Sequence, residues 1–255
     1  MARRATAIAQ LREQAQGGVL LLDSGDTLFR GGDTATNPDP DQGALIVEAM
    51  NWMSYDALAM GGRDIDAPLT TVRARFEQAR FSILSANVKM SDEWPNVLPY
   101  LLRQVDGHTV AIIGVAAQGV ERLAQPVGLA LTVGDPADAI RRTLEQIQSQ
   151  TDVIILLSNL EQGQNKTLAQ TIPGIDAIIG AYRSIDRTPA AVTGPAGQVV
   201  LHAPGVQGEY LGTLSVGFDA RGQVLSFEGS AIPLTKQYAD DPDIMQMMQR
   251  YAAQP

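Results

Sequence analysis

Val19-Leu20-Leu21-Leu22-Asp23-Ser24-Gly25-Asp26 decides how this chain of 255 residues is read. The continuous apolar run 19–22 is too short for an ordinary helix and reads as a buried strand, which Asp23-Ser24-Gly25-Asp26 then breaks with turn-forming, oxygen-bearing residues. Before it, Ala5, Ile8 and Leu11 recur at helical spacing until Gly17-Gly18 stops the helix. After it the pattern repeats: 153–157 is a second buried strand that runs into Ser158-Asn159, a helix covers 166–171, and 177–179 is a third strand that stops at Gly180. Strand, helix and strand in alternation describe helices packed on a mainly parallel sheet.

The stretches between fit the same frame. Residues 38–41 open a helix with Leu45, Ile46, Ala49, Met50 and Met53 on one face. Residues 58–60 form a short strand, 69–78 a helix, 82–86 a strand and 110–115 a buried strand. Asp135-Pro136 is an N-cap with proline at the first helical position, for a helix that turns Ala137, Ile140, Leu144 and Ile147 inward. Past Pro189 the pattern changes to hairpins, with turn clusters at 193–197 and 219–222 between strands 199–202, 211–218 and 224–228. The last third is therefore expected to be antiparallel. Asp241-Pro242-Asp243 starts a final helix expected to dock through Ile244, Met245 and Met248. The organisation is one domain, 1–255, with a β-α alternating region over 1–188, an antiparallel hairpin region over 189–234 and a C-terminal helix 240–252.

An apolar content of 45% is ordinary for a globular α/β domain. The formal charge of −9 argues against a nucleic-acid partner, which needs a basic surface. With no cysteine there is no disulfide, thiolate metal site or cysteine nucleophile. No apolar stretch reaches transmembrane length, so direct membrane insertion is not expected. Met1-Ala2-Arg3-Arg4 is followed by an amphipathic segment and lacks the apolar core of a signal peptide.

The motif skeleton consists of Leu21-Leu22-Asp23-Ser24-Gly25-Asp26, Asn51-Trp52-Met53-Ser54-Tyr55-Asp56-Ala57-Leu58-Ala59-Met60-Gly61, residues 153–158, and Gly174-Ile175-Asp176-Ala177-Ile178-Ile179-Gly180. It resembles the metallophosphoesterase domain of the 5′-nucleotidase family over nearly the whole chain. The resemblance implies a calcineurin-like fold, an αββα sandwich of two mixed sheets, here missing the usual first strand with its Asp-x-His pair. It also implies two cations roughly 3.5–4 Å apart, held by a bridging carboxylate, imidazoles and an amide. In the family the last helix leads into a nucleotide-binding domain, which is expected to be absent here.

Two histidines, His108 and His202, stand against a chemistry that uses several. By the resemblance, Asp26 matches the bridging aspartate. The family's Gly-Asn-His-Glu-x-Asp reads Gly61-Gly62-Arg63-Asp64-Ile65-Asp66, so Gly62 stands for the amide ligand and Arg63 for the catalytic imidazole. Arginine neither titrates near neutral pH nor ligates a cation. Asn159 replaces an imidazole in Ser158-Asn159-Leu160; its amide oxygen suits Mg²⁺ or Ca²⁺ better than zinc. Tyr182 and Ser184 take the two histidine positions of the last motif, with Arg183 between them. His108 reads as a turn residue and His202 as a strand end, neither with a catalytic partner.

The vestigial site is therefore Asp23, Asp26, Gly62, Arg63, Asp64, Asn159, Tyr182, Arg183 and Ser184, with no catalytic residue assigned. The expected reading is a degenerate metallophosphoesterase-like binding or scaffold module without a cofactor, in which the Arg63 guanidinium pairs with Asp26 where the metals were. One divalent cation such as Mg²⁺, Mn²⁺ or Ca²⁺ on Asp26 and Asn159 is the weaker alternative. The enzyme-class alternative is a working phosphoesterase completed by an additional N-terminal segment. A phosphate-like anion on Arg63 and Arg183 is a third possibility. A protein partner or a segment ahead of Met1 is expected to cover the missing first-strand position. The resemblance points to an extracytoplasmic setting, for which the chain carries no signal.

Overall fold

The computed structural model describes residues 1–29, 41–90, 94, 96–124, 130–180, 184, 186–219 and 223–253. In chain order the elements are α1 (Ala2–Gln14), β1 (Leu22–Asp23), α2 (Ala44–Trp52), β2 (Ala57–Ala59), α3 (Leu69–Gln78), β3 (Ser82–Leu84), β4 (Val88–Met90) and β5 (Val97–Leu98). Then come β6 (Tyr100–Val105), β7 (His108–Val115), α4 (Glu121–Ala124), β8 (Leu131–Val133), α5 (Pro136–Ile147), β9 (Val153–Ser158), α6 (Gln162–Thr171) and β10 (Ala177–Ile179). The hairpin strands β11 (Ala190–Gly194), β12 (Gly197–His202), β13 (Tyr210–Phe218) and β14 (Val224–Pro233) precede α7 (Pro242–Ala252).

Two sheets carry the architecture. β1-β2-β3-β5 is parallel at every pairing. The second sheet, β11-β12-β10-β9-β7-β6, is parallel through its centre and antiparallel at both margins. Ala57, Ala59, Leu84, Ile112 and Leu157 fill the space between the sheets. Apolar stripes of α1, α2, α3 and α7 cover the outer face of the first sheet, and those of α5 and α6 cover the second. Helices, sheet, sheet and helices make the αββα layering of a calcineurin-like metallophosphoesterase domain.

Small residues set how closely the layers approach. A Cβ added to Gly114 on β7 would stand 2.3 Å from the Leu84 carbonyl oxygen and 2.4 Å from the Leu84 Cβ, across the sheet interface. The Gly114 carbonyl also accepts the Ala86 N–H at 2.8 Å, so the two sheets are joined by main chain at this point.

Local capping chemistry accounts for the helix starts. Asp135 accepts the Asp138 N–H at 2.9 Å ahead of Pro136, and Asp241 accepts the N–H groups of Asp243 and Ile244 ahead of Pro242. Such caps contribute about 1 kcal/mol each. The cap at Asp241 also sets the phase of α7: Ile244 and Met247 turn inward, whereas Met245 and Met248, expected to dock, remain 37% exposed. In α2 Ala49 and Met50 are buried as expected, with Met53 just beyond, and Val47 joins them, whereas Leu45 and Ile46 are only half-buried; residues 38–40, expected to open this helix, lie outside the described residues.

Three further departures come from tertiary pairing. Residues 19–22, expected as a buried strand, enter the ladder only at Leu22, and Val19 is 45% exposed, because among the described residues β1 has β2 on one side and no paired strand on the other. β6 escapes the sequence reading; it forms a hairpin with β7 through Asp106 and Gly107, both at positive φ, as a tight hairpin turn requires. β12 pairs antiparallel with β11 yet parallel with β10, so the last third is not purely antiparallel.

Gly114→Ala tests the sheet contact. Overpacking against main chain is expected to cost about 1–3 kcal/mol or more, read as a lower denaturation midpoint, whereas Gly163→Ala, which meets nothing within 4 Å, leaves it within about 0.5 kcal/mol.

Candidate functional site

The site begins where β1 ends. Asp23 closes the turn on itself: its Oδ1 accepts the Gly25 N–H at 2.9 Å and the Thr27 hydroxyl at 2.8 Å. Gly25 and Asp26 follow at positive φ, 94° and 60°. Glycine is required at position 25, since a Cβ would lie 2.2 Å from the Ala59 carbonyl oxygen. Aspartate is among the residue types that tolerate the left-handed conformation, and the Asp26 Oδ1 accepts the N–H of Arg63 from the distant β2 loop at 2.9 Å.

Beneath this turn lies Asp64, with no solvent exposure. Its Oδ2 accepts the N–H groups of Asp26 (2.9 Å) and Gly61 (2.8 Å), and its Oδ1 those of Thr27 (2.8 Å) and Leu28 (2.9 Å). Burial pushes its carboxyl up to about 7, and the nearby Asp26 carboxylate acts in the same direction, while the backbone N–H groups pull it down. Asp64 is an organiser of the loops, not a residue that faces the cleft.

Asn159 enters from the end of β9. It is buried, its Nδ2 donates to the Ser24 carbonyl at 3.1 Å, and no described group bonds its Oδ1. A Cβ on Gly61 would lie 2.5 Å from Asp26 Oδ1 and 2.9 Å from Asn159 Nδ2, so the loops after β1, β2 and β9 meet over that glycine. The loop after β10 joins them at Gly180, where a Cβ would lie 2.2 Å from the Ser24 Cβ. Asn165, which sequence reasoning missed, locks this corner: its Nδ2 donates to the Gly180 carbonyl at 2.8 Å and its Oδ1 accepts the Ser158 hydroxyl at 2.6 Å. The available signal was an amide on the same inward face of the helix as Leu168 and Ala169.

Asp26, Gly62, Arg63 and Asn159 thus share one cleft of about 490 Å³, completed by Gln118, Gly119, Glu161 and Gln164. The Arg63 side chain is exposed at its rim. The expected guanidinium pairing with Asp26 is replaced by a backbone contact, and among the described residues no ion pair includes Arg63. Ser184 turns elsewhere, towards Asp186 Oδ2 at 3.5 Å, which Gln162 also binds. Tyr182 and Arg183 lie outside the described residues. His108 opens β7 with its ring 6.4 Å from that of Phe218, and His202 is buried beneath β13; neither lines the cleft.

The donor set does not fit a two-cation centre. Asp26 has one carboxylate oxygen engaged by Arg63 N–H, Gly62 offers no side chain, Asp64 is held by four N–H groups, and Asn159 supplies one neutral oxygen. Among the described residues no group of three or more His, Cys, Asp or Glu could hold a metal ion. One hard cation could still meet oxygens of Asp26 and Asn159.

Strand-end loops converging over one edge of two packed sheets are how a metallophosphoesterase-type domain assembles its site. Comparison with known proteins gives the same class. The chain is 30% identical to the 5′-nucleotidase of Homo sapiens over 269 residues, covering 96% of this chain and 45% of that protein. It is 29% identical to the snake venom 5′-nucleotidase of Crotalus adamanteus over 266 residues, covering 96% and 44%. Its fold superposes on the crystal structure of a 5′-nucleotidase precursor from Thermus thermophilus with a TM-score of 0.86 at 25% identity, over 98% of this chain and 52% of that one. No protein-family model matches the chain. The chain's homologues and structural neighbours are 5′-nucleotidases, to whose calcineurin-like metallophosphoesterase domain it corresponds over nearly its whole length. It spans less than half the length of the two curated relatives.

Asp64→Asn replaces one acceptor oxygen by an amide that faces two N–H groups, and is expected to cost about 2–4 kcal/mol. A carboxyl whose folded value lies above its unfolded one holds its proton more tightly in the native state, so its contribution is greatest near pH 4 and is lost as pH rises towards about 7. Denaturation curves across pH 4–8 should show that decline in the parent chain and a flatter profile in Asp64→Asn.

Proposed function

We propose that this domain is a catalytically degenerate member of its family, a pseudoenzyme that uses the cleft and its flanking surfaces as a binding or scaffold module. What supports the reading is the cleft, whose loop organisers are in place, together with the sequence resemblance, by which Gly62 and Arg63 stand where the family has an amide and an imidazole. A guanidinium at the rim disfavours a second cation beside Asp26 and favours an anion, so a phosphate-like group is the ligand class that suits Arg63. Arg183 belongs to that anion reading by sequence alone. No resident cofactor is required. The relative from snake venom supports an extracytoplasmic setting, and among the described residues no helix is long and apolar enough to cross a membrane.

A second reading rests on the free oxygens of Asp26 and Asn159. One divalent cation there, with ligands from an additional N-terminal segment, would make the domain a metal-dependent phosphoesterase of non-standard site, the activity class that the relatives' names carry.

Calorimetric titration with Mn²⁺, together with turnover of an aryl phosphate and a nucleoside monophosphate, separates the two. Degeneracy predicts at most one weakly bound ion, whose heat disappears in Asp26→Asn, and no metal-dependent hydrolysis. Two tightly bound ions with turnover abolished by Asp26→Asn would establish the hydrolase instead.

A further inference from the structure

The cleft holds charges of both signs that do not meet. Asp26 gives Oδ1 to the Arg63 N–H at 2.9 Å and keeps Oδ2 without a partner among the described residues. No ion pair there includes either side chain. The backbone of Arg63 is held against the carboxylate, while its exposed guanidinium stands at the rim. A free carboxylate oxygen therefore faces the cleft from one side and a free guanidinium from the other.

The side that holds Asp26 is rich in acceptors. A Cβ built on Gly61 would lie 2.5 Å from Asp26 Oδ1 and 2.9 Å from Asn159 Nδ2, so carboxylate and amide are neighbours. Asn159 uses Nδ2 on the Ser24 carbonyl at 3.1 Å, which leaves Oδ1 as its unbonded polar atom. Gln118 and Glu161 line the same space. Gln164 lines it too, but its Oε1 already accepts the Glu161 N–H at 3.2 Å, so what it has to offer is its amide N–H groups.

This distribution selects among ligands. A divalent cation of the hard class takes about six or more oxygens, and one carboxylate oxygen with a few amide oxygens falls short of that. An ammonium group carries one charge and three N–H donors, which match Asp26 Oδ2, Asn159 Oδ1 and one further acceptor from Gln118 or Glu161. Guanidinium, in turn, binds a planar or tetrahedral oxyanion through two parallel N–H bonds. A bare anion would leave Asp26 unpaired, and a bare cation would leave Arg63 unpaired. One molecule bearing both groups on a short linker satisfies the two together. The cleft, about 490 Å³, has the size of ordinary small-molecule sites, about 300–1,000 Å³.

We propose that the cleft binds a small zwitterion, its ammonium group hydrogen-bonded to Asp26 and Asn159 and its oxyanion held by Arg63. Amino acids and aminoalkyl phosphates share this chemistry. The assignment rests on the binding-module reading and gives the anion on Arg63 a positively charged companion.

Calorimetric titration of the full chain near neutral pH, in buffer freed of metals by a chelator, tests it with two zwitterions of equal linker length. These are 2-aminoethylphosphonate, whose carbon–phosphorus bond a phosphoesterase leaves intact, and β-alanine; ethylphosphonate, propionate and ethylamine supply the separate halves. At least one zwitterion should bind about 10-fold or more tighter than either of its halves, as a hydrogen-bonded charge contributes. Whichever zwitterion binds tighter identifies the anion as phosphate-like or carboxylate. Asp26→Asn keeps an acceptor for the Arg63 N–H, so the anionic half should bind it as before while the zwitterion falls to that half's affinity. Arg63→Gln should weaken zwitterion and anionic half alike, by about 10-fold. An anionic half as tight as its zwitterion in the parent chain overturns the proposal and leaves the cleft a plain anion site. No binding of any of the five compounds also overturns it. Equal loss of zwitterion and anionic half in Asp26→Asn would make the carboxylate a support of the loop and overturns the ammonium contact. Failure of the binding-module reading shows elsewhere, in two Mn²⁺ ions bound with turnover, a result that these metal-free titrations do not contain.

Discussion

One buried carboxylate holds the site in shape. Asp64 gathers N–H groups from the turn after β1 and from the end of β2, segments separated by more than thirty residues in sequence, and ties them with four bonds between 2.8 and 2.9 Å. Each of those N–H groups would otherwise be left near or below the surface without a strand partner, because the chain is leaving its sheet there. The left-handed conformation of Asp26, the placement of Arg63 N–H against it, and the close passage of Asn159 over Gly61 all depend on that anchor. Burial and hydrogen bonding oppose each other in setting its proton affinity, which makes the same group the source of a pH-dependent stability.

A second constraint acts between layers. Gly114 lets β7 meet Leu84 at main-chain distance, and a hydrogen bond from Ala86 crosses the interface there. Close approach at one point fixes the spacing of the sheets, and with it the convergence of the loops at their common edge. The opposite situation holds at β1. Its short pairing and exposed Val19 show what an apolar run does when only one neighbour is present: the residues nearest β2 join the ladder, and those further back do not.

What could be read from the chain follows the range of the interactions involved. The Asp135 and Asp241 caps were legible because donor and acceptor lie within three residues. The alternation of buried strands and helices was legible because burial on both faces leaves continuous apolar runs, as in β7 and β9. β6 was not, since Arg103 and Gln104 break its apolar pattern at the sheet margin. The role of Asp64 was also hidden. Sequence places it with Asp23, Asp26 and Asp66 as one of several carboxylates near strand ends, and only the return of residues 26–28 over it decides that it is an anchor. For the same reason Arg63 was expected to act through its guanidinium, whereas the contact with Asp26 comes from its backbone.

The separation of organisers from chemistry-bearing residues bears on how such a site changes. Asp23, Asp64, Gly25, Gly61 and Gly180 act through main-chain geometry, and every one of them is in place. Arg63 and Asn159, by contrast, line the cleft with side chains that organise little, Arg63 exposed and Asn159 holding one bond. Substitution at an organiser disturbs the loops, whereas substitution of a cleft-lining side chain such as that of Arg63 leaves the loop-holding bonds in place. A cleft can therefore exchange its ligands one after another and keep its shape.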